Sequence, residues 1–222
     1  MDRGGQGDGF CVHVSTDAGT VPLSTSISAK WGIAMAKYTK KIIMDTFMNL
    51  LEDNSLDKIS VKDIVEECEI NRNTFYYYYS DIYDLLEDVF RTETEKFLVG
   101  EVREDITFFE EYRRAADIIL NYRKAVIHIY NSRKRDVLHN YLQTVSFELI
   151  GRFVRRESKG YDISAQDIEY IIRFYSYAIV GNTMDWIERK MPTVNENFIL
   201  KISNTFSATV KDMILDCVNN KA

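Results

Sequence analysis

The sequence contains few of the residues that interrupt helices, with only two prolines and ten glycines among 222 residues. These numbers are too low for the many tight turns of an all-β protein, and they predict an all-α fold. The sequence also lacks a run of about 18 apolar residues, which excludes a membrane-spanning helix. Hydrophobic residues make up 45% of the chain, enough for one large globular unit or for a small domain fused to a larger one.

Cysteine and histidine are equally scarce, with three of each. The cysteines Cys11, Cys68 and Cys217 are odd in number, far apart and free of any C-x-x-C pair. We therefore expect neither a disulfide framework nor a metal site, and the cytoplasm as the compartment. The sequence shows no Ser/His/Asp or Cys/His arrangement and no phosphate-binding loop, so we expect no enzyme and no cofactor.

The first 34 residues differ in composition from the rest of the chain. They are rich in Gly, Ser and Thr and show no sustained helical or strand period. Met35 opens a segment that resembles a second start. We expect residues 1–34 to be a disordered leader or one foreign to the natural protein, followed by domains over 35–85 and 86–222.

Residues 35–85 have the pattern of a helix-turn-helix. An apolar stripe at helical spacing runs from Ile43 to Leu51, and Ser60 with Asp63 forms the capping box of a second, short helix. Asn71 is placed to cap a third helix that ends near Tyr79, and Ser80 or Asp81 to cap a fourth. A long helix, a short helix, a tight turn and a second short helix in this order predict a DNA-binding head.

The third helix of this head has two different faces. Helical spacing directs Phe75 and Tyr79 inward, and it leaves Arg72, Asn73, Tyr76 and Tyr77 on the outside. Arginine and asparagine suit the edges of guanine and adenine, and tyrosine hydroxyls can donate to phosphates. Core packing alone does not account for the four tyrosines. Consecutive helical residues point about 100° apart, so the tyrosines cannot all point inward.

The run Asn71-Arg72-Asn73-Thr74-Phe75-Tyr76-Tyr77-Tyr78-Tyr79 resembles the recognition segment of the TetR family of regulators, and the likeness extends over 37–98. The resemblance implies a three-helix head joined to a larger helical bundle that dimerises. It further implies a homodimeric regulator, most simply a repressor, that binds a near-palindromic operator in double-stranded DNA and is released by a small-molecule effector. The expected DNA contacts are Lys62, Arg72, Asn73, Thr74, Tyr76, Tyr77 and Tyr78.

Three features depart from the family pattern. Glu69 stands where the turn commonly has glycine, and Ile82 stands where the fourth helix often has a phosphate-binding lysine. Residues 37–85 contain six basic and ten acidic side chains, a net charge of −4. DNA binding depends strongly on phosphate neutralisation, so an acidic head favours weak, salt-sensitive binding. The acidic head also favours an alternative, a TetR-shaped coactivator that acts through a protein partner. The head is similar to a branch of the family resembling the dihydroxyacetone-kinase activator, and this similarity supports the same alternative.

The body is predicted to consist of helices near 107–120, 123–131, 134–157, 165–190 and 195–219. The last two carry apolar residues on more than one face, and Gly181 lies inside one of them. Glycine is unfavourable within a helix and often marks the close approach of another backbone. We expect these two helices to form the dimer interface, although plain core packing is the alternative. The predicted contacts are Ala178, Gly181, Ile202, Phe206, Val210 and Met213.

Aromatic and polar residues in the middle of the body form a candidate effector pocket. Small-molecule pockets are mostly apolar with a few polar groups. The candidate contacts are Phe109, Tyr112, His128, Tyr141, Phe147, Asn182 and Trp186. Aromatic residues at this spacing are also typical of ordinary core, and a single histidine on an apolar face is commonly a structural residue with satisfied hydrogen bonds.

Overall fold

The computed structural model describes residues 23–99, 106–192 and 196–220. Over these residues the chain is helical and forms no strand, which confirms the predicted all-α fold. A single 3-10 turn, Leu56–Lys58, follows the first helix. The helices are α1 (Leu23–Asp53), α2 (Val61–Glu67), α3 (Arg72–Tyr78), α4 (Ile82–Val99), α5 (Phe108–Asn121), α6 (Arg123–Tyr130), α7 (Arg135–Glu157), α8 (Ala165–Glu188) and α9 (Glu196–Asn219).

The predicted starts of α2, α3 and α4 are confirmed. Ser60 and Asp63 form a reciprocal capping box, in which the Ser60 amide donates to the Asp63 carboxylate at 2.8 Å. Asn71 caps α3 by accepting the Thr74 amide at 2.8 Å. Of the two candidates for α4, Asp81 is the cap, because its carboxylate accepts the amides of Tyr83 and Asp84. Each cap satisfies amides that have no partner inside the helix.

The first helix begins earlier than the sequence predicted. The predicted leader reached residue 34, yet its last part, residues 23–34, continues α1. The sequence has no further proline between Pro22 and Pro192, so no residue in this segment lacks the amide that a helix needs. The rest of the predicted leader, residues 1–22, lies outside the described residues.

The head is built around side chains with no exposed surface. Phe47 of α1, Ile64 of α2, Phe75 of α3 and Leu85 of α4 are all 0% exposed. The same cluster continues into α6 and α7 through Ala125 and other residues, so the head and the body share one hydrophobic core. The predicted domain boundary after residue 85 falls inside α4, which is a continuous helix.

The far end of α4 belongs to the second core, in the body. Phe97 is buried there, and the guanidinium of Arg114 lies 4.0 Å from the centre of its ring. Arg114 donates to the Phe97 carbonyl at 3.1 Å, and Arg152 of α7 donates to the Leu98 carbonyl at 2.7 Å. The last carbonyls of a helix have no partner within it, so these two arginines fix the end of α4 to α5 and α7.

The turn between α2 and α3 requires a left-handed residue, and Glu69 supplies it with φ = 54°. The Ile70 amide donates to the Val65 carbonyl and the Glu69 amide to the Glu66 carbonyl, the two hydrogen bonds of a Schellman motif. A side chain in this conformation is strained, whereas glycine is not. The strain that the sequence predicted for glutamate at this position is therefore present.

We expect Glu69→Gly to raise the free energy of unfolding by about 0.5–1 kcal/mol, because the relief of strain exceeds the entropy that glycine adds to the unfolded chain. Urea unfolding followed by circular dichroism measures it. The matched control is Glu67→Gly at the last residue of α2, where glycine costs about 1 kcal/mol. Equal losses of stability in the two variants would show that Glu69 is not strained.

Candidate nucleic-acid interface and effector pocket

The outer face of α3 has the composition of a contact surface. Phe75 is 0% and Tyr79 2% exposed, whereas Tyr76 is 54% and Tyr77 79% exposed. Arg72 and Asn73 are also exposed at the start of the helix. The predicted orientation of α3 is thus confirmed. Two large aromatic rings left in solvent on a helix of seven residues are more than a folded monomer needs.

Three of the predicted DNA contacts, Thr74, Tyr78 and Lys62, also contact other residues of the head. Thr74 is half-buried, and its hydroxyl donates to the Asn71 side chain at 3.2 Å. Tyr78 is half-buried against the head core, with its ring centre 4.9 Å from that of Tyr77. Lys62 is exposed on the first turn of α2, with its amine 3.7 Å from the Glu66 carboxylate. An exposed pair of this kind is weak, so Lys62 can exchange Glu66 for a phosphate.

A buried carboxylate on α4 fixes the end of α3. Asp88 is only 5% exposed and accepts a hydrogen bond from the Tyr79 hydroxyl at 2.8 Å. Lys40 of α1 lies 2.7 Å from the same carboxylate, and Arg91 donates to its other oxygen. Sequence reasoning missed Asp88, because on α4 alone it is one acidic residue among several. Its signal is its spacing, since it lies between Leu85, Leu86 and Val89 on the buried side.

The ionisation of this cluster follows from its contacts. Burial acts to raise the pKa of Asp88, but hydrogen bonds from Lys40, Tyr79 and Arg91 outweigh it and hold the pKa below its usual range. Burial and the hydrogen bond to Asp88 raise the pKa of Tyr79. The hydroxyl therefore stays protonated and donates to a charged carboxylate at neutral pH.

Several acidic residues of the head accept hydrogen bonds at helix ends or form ion pairs within a helix. Hydrogen bonds from Ser60 lower the pKa of Asp63, and Asp81 and Asp84 accept backbone amides at the start of α4. Asp45 lies 2.5 Å from Lys41 within α1. These contacts give the acidic residues a structural role, but the net charge of the head remains negative.

A cavity of about 240 Å³ lies between α5, α7, α8 and the start of α9. Three of the predicted effector contacts, Tyr112, Tyr141 and Trp186, line it together with other side chains. Burial raises the pKa of Tyr112, despite its hydrogen bond with Thr183, and raises the pKa of Tyr141 to about 12. Both phenols are therefore neutral at physiological pH. Arg189 and Asp185 also line the cavity and pair at 3.1 Å. We call it the effector pocket.

The other predicted effector contacts do not line this pocket. Phe109 and Phe147 pack against the body core, and the Nδ1 atom of His128 lies 2.7 Å from the Leu51 carbonyl, as expected of a structural histidine. Asn182 faces solvent and donates to the Ala178 carbonyl of its own helix. Thr183, the next residue, takes the inward position instead, because the buried stripe of α8 passes through Ile179 and Ile187.

The predicted dimer contacts divide into three groups by their exposure. Ala178 and Gly181 are exposed on α8, and a Cβ placed on Gly181 meets no atom within 4 Å. Phe206 and Val210 are only 4% and 2% exposed, because their side chains fill the core of the same subunit. They are therefore unavailable as surface contacts. Ile202 and Met213 are half-buried against that core.

An exposed aromatic stripe on α8 was missed by sequence reasoning. Tyr170, Phe174 and Tyr177 are 57%, 51% and 59% exposed. They lie at i, i+4 and i+7, and Ala178 and Gly181 continue the same face toward the end of the helix. Their spacing is visible in the sequence, but it could not show which of the two apolar faces of α8 packs inside the subunit.

Within residues 23–99, 106–192 and 196–220, no group of three or more His, Cys, Asp or Glu side chains is placed to hold a metal ion. Every helix in this part of the chain is too short or too polar to cross a bilayer.

Two family models match the chain over its head and its body. Residues 43–89 match the model described as bacterial regulatory proteins of the tetR family, and residues 106–208 match a transcriptional regulator C-terminal region. The first contains α2, α3 and the start of α4, and the second contains α8 and the lining of the effector pocket except for Phe97. Both models describe regulators, and neither describes an enzyme.

The relatives agree with these models. The chain is 38% identical over 55 residues to the HTH-type dhaKLM operon transcriptional activator DhaS of Lactococcus lactis subsp. lactis (strain IL1403), a match over 25% of this chain and only 29% of that protein. A solved structure of the dihydroxyacetone kinase operon activator DhaS superimposes with a TM-score of 0.63 and 22% identity, covering 78% of this chain and 97% of the other. A TetR transcriptional regulator from Streptococcus agalactiae 2603V superimposes with a TM-score of 0.55 and 18% identity, over 80% and 98% of the two chains. The identities of 22% and 18% to these two solved structures show a common fold and nothing more.

We expect Asp88→Asn to lower the free energy of unfolding at pH 7 and to lose this effect in acid. The depressed pKa of Asp88 stabilises the folded state above the carboxyl's unfolded pKa of about 3.9, and this stabilisation is lost as the pH falls through the folded value. Urea unfolding of both proteins from pH 7 to pH 3 measures the difference. A difference that did not shrink in acid would contradict a charged Asp88.

Proposed function

This chain belongs to the TetR family of transcriptional regulators, and we propose that it binds operator DNA as a homodimer through α3. The observation that carries this proposal is the outer face of α3, where Arg72, Asn73, Tyr76 and Tyr77 are exposed. The side chains at the start of such a helix can reach base edges in the major groove. A regulator of this kind acts in the cytoplasm, where the DNA is.

The position of α3 supports this role because both of its ends are fixed. Asn71 caps the first turn, and Tyr79 is held by Asp88 directly after the last turn. A helix that reads base edges must present its side chains in a defined direction, since hydrogen bonds to bases tolerate little displacement. Lys62 at the start of α2 is placed on the same motif to contact phosphate.

The proposed dimer joins the exposed face of α8 to a second copy of the chain. Tyr170, Phe174 and Tyr177 are aromatic side chains of the type enriched at interfaces, and Gly181 permits close approach of a helix. Two heads related by a two-fold axis would then read the half-sites of a near-palindrome.

The effector pocket supports ligand-dependent release. Its lining is mainly apolar, and its polar side chains include Tyr112, Tyr141, Ser146 and Thr183 and the paired Asp185 and Arg189. At about 240 Å³ it lies below the roughly 300–1,000 Å³ of pockets for drug-sized ligands, which favours a small, largely apolar effector with one or two polar groups. Such an effector would shift the dimer toward a head spacing that no longer matches successive grooves.

A second candidate function is a TetR-shaped coactivator that acts through a protein partner. Its support is the net charge of −4 over residues 37–85, which opposes binding to phosphate. In that case the exposed tyrosines of α3 contact a protein. The relative DhaS is named as an activator, so positive regulation is compatible with this fold.

We expect the double variant Tyr76→Ala, Tyr77→Ala to lose tenfold or more in affinity for the region upstream of its own gene, about 1.4 kcal/mol, because both exposed rings leave the docking face. Fluorescence anisotropy at low and moderate salt measures the binding. The matched control is Tyr161→Ala, which removes a 42%-exposed tyrosine from the turn after α7. Retained binding by the double variant excludes the proposed face. A wild-type chain that binds no DNA at low salt supports the coactivator.

We expect Gly181→Arg to convert a dimer to a folded monomer, because the subunit has room for the side chain but the interface does not. Sedimentation velocity at micromolar concentration measures the mass, and circular dichroism verifies folding. The control Glu148→Arg adds the same side chain to an exposed position of α7. If the Gly181 variant remains a dimer, this face of α8 is not the interface.

A further inference from the structure

A second and larger cavity lies at the junction of the head and the body. Its volume is about 970 Å³, and α1 and α4 form two of its walls. The apolar part of the lining includes Met44 and Met48 of α1 and Phe90 of α4. The ring of Phe90 stacks on Tyr141 at 4.4 Å, and Tyr141 also lines the effector pocket. We call this space the junction cavity.

The α1 side of the junction cavity is basic. Lys37, Lys40 and Lys41 line it, together with one aspartate of the same helix, Asp45. Lys41 is paired with Asp45 at 2.5 Å, and Lys40 with the buried Asp88 at 2.7 Å. The α4 side carries Glu93, Glu95 and Lys96, and Glu93 pairs with Lys96 at 2.7 Å. On α1, Lys37 therefore forms no ion pair within the described residues, and Lys40 shares the Asp88 carboxylate with Arg91.

We propose that the junction cavity binds an organic anion with an apolar body, whose charged group lies at Lys37 and Lys40. The volume is within the range of ligand pockets, and the methionines provide an adaptable apolar wall. A neutral apolar ligand would cover Lys37 without giving it a partner, which is unfavourable. A carboxylate satisfies that requirement, and an organic cation would meet the wrong sign of charge.

A ligand at this site is linked to α3 through the contacts of Lys40. Lys40 donates to the same carboxylate that accepts from the Tyr79 hydroxyl. A ligand carboxylate that competes for Lys40 removes one of the partners of Asp88 and so weakens the contact that fixes α3. Only this consequence depends on the proposed DNA-binding function. Binding itself is independent of it and is tested without DNA.

Decanoate is a suitable probe, with decanol as its uncharged counterpart. We expect isothermal titration calorimetry on the full chain to give submillimolar binding of decanoate and at least tenfold weaker binding of decanol. Met48→Trp fills the junction cavity and should reduce decanoate affinity tenfold or more. Ala115→Trp fills only the effector pocket and should leave the affinity unchanged within twofold.

The contribution of the lysine charge to binding is tested by a substitution at an exposed position, where it does not affect folding. Lys37 is exposed, and Lys37→Gln should weaken decanoate binding about two- to fivefold, whereas the control Lys159→Gln should not. This pair carries the test if Met48→Trp fails to fold. The proposal is overturned if decanoate does not bind at millimolar concentration, if decanol binds equally well, or if Lys37→Gln and Lys159→Gln behave alike. Decanoate binding that is lost only in Ala115→Trp also overturns it, because it places the ligand in the effector pocket.

Discussion

Asp88 is a charged side chain in the interior of a helical protein, and its contacts constrain three helical segments at once. A buried carboxylate is stable only when hydrogen bonds and opposite charges replace water, and here α1, the end of α3 and α4 itself supply them. Tyr79 also contributes its ring to the head core, so the position of α3 depends on both apolar packing and this polar cluster. Removing one partner leaves a poorly satisfied charge, which is why the cluster specifies a single arrangement.

The helix that carries Asp88 links the head to the body. Leu85, Leu86 and Val89 of α4 belong to the head core, and Phe97 belongs to the body core. Arg114 and Arg152 satisfy the last carbonyls of α4 from the body side. A displacement of α4 therefore changes both the packing around the two cavities and the support of α3. Coupling between a ligand and α3 requires an element of this kind, with differential contacts in two states.

The charge of the head restricts how it can meet DNA. Asp63 and Asp81 are used at helix starts, where a carboxylate is favourable because it accepts free amides and interacts with the helix dipole. Their structural role explains why an acidic head folds well, but it does not attract phosphate. The proposed DNA binding would then depend on the direct contacts of α3 and Lys62 more than on a general electrostatic attraction.

Most of the helices could be predicted from the sequence, because capping residues and helical periodicity are local. Ser60, Asn71 and the inward pair Phe75 and Tyr79 were all predicted from their neighbours along the chain. Of the seven effector contacts that the sequence predicted, Tyr112, Tyr141 and Trp186 line one pocket. The sequence did not show which apolar face of a helix is covered in the folded subunit. Phe206 and Val210 proved to be core, while Tyr170 and Tyr177 proved to be surface. Periodicity defines the faces of a helix, but which face is buried depends on contacts between segments far apart in the chain, as does the meeting of Lys40, Tyr79 and Asp88.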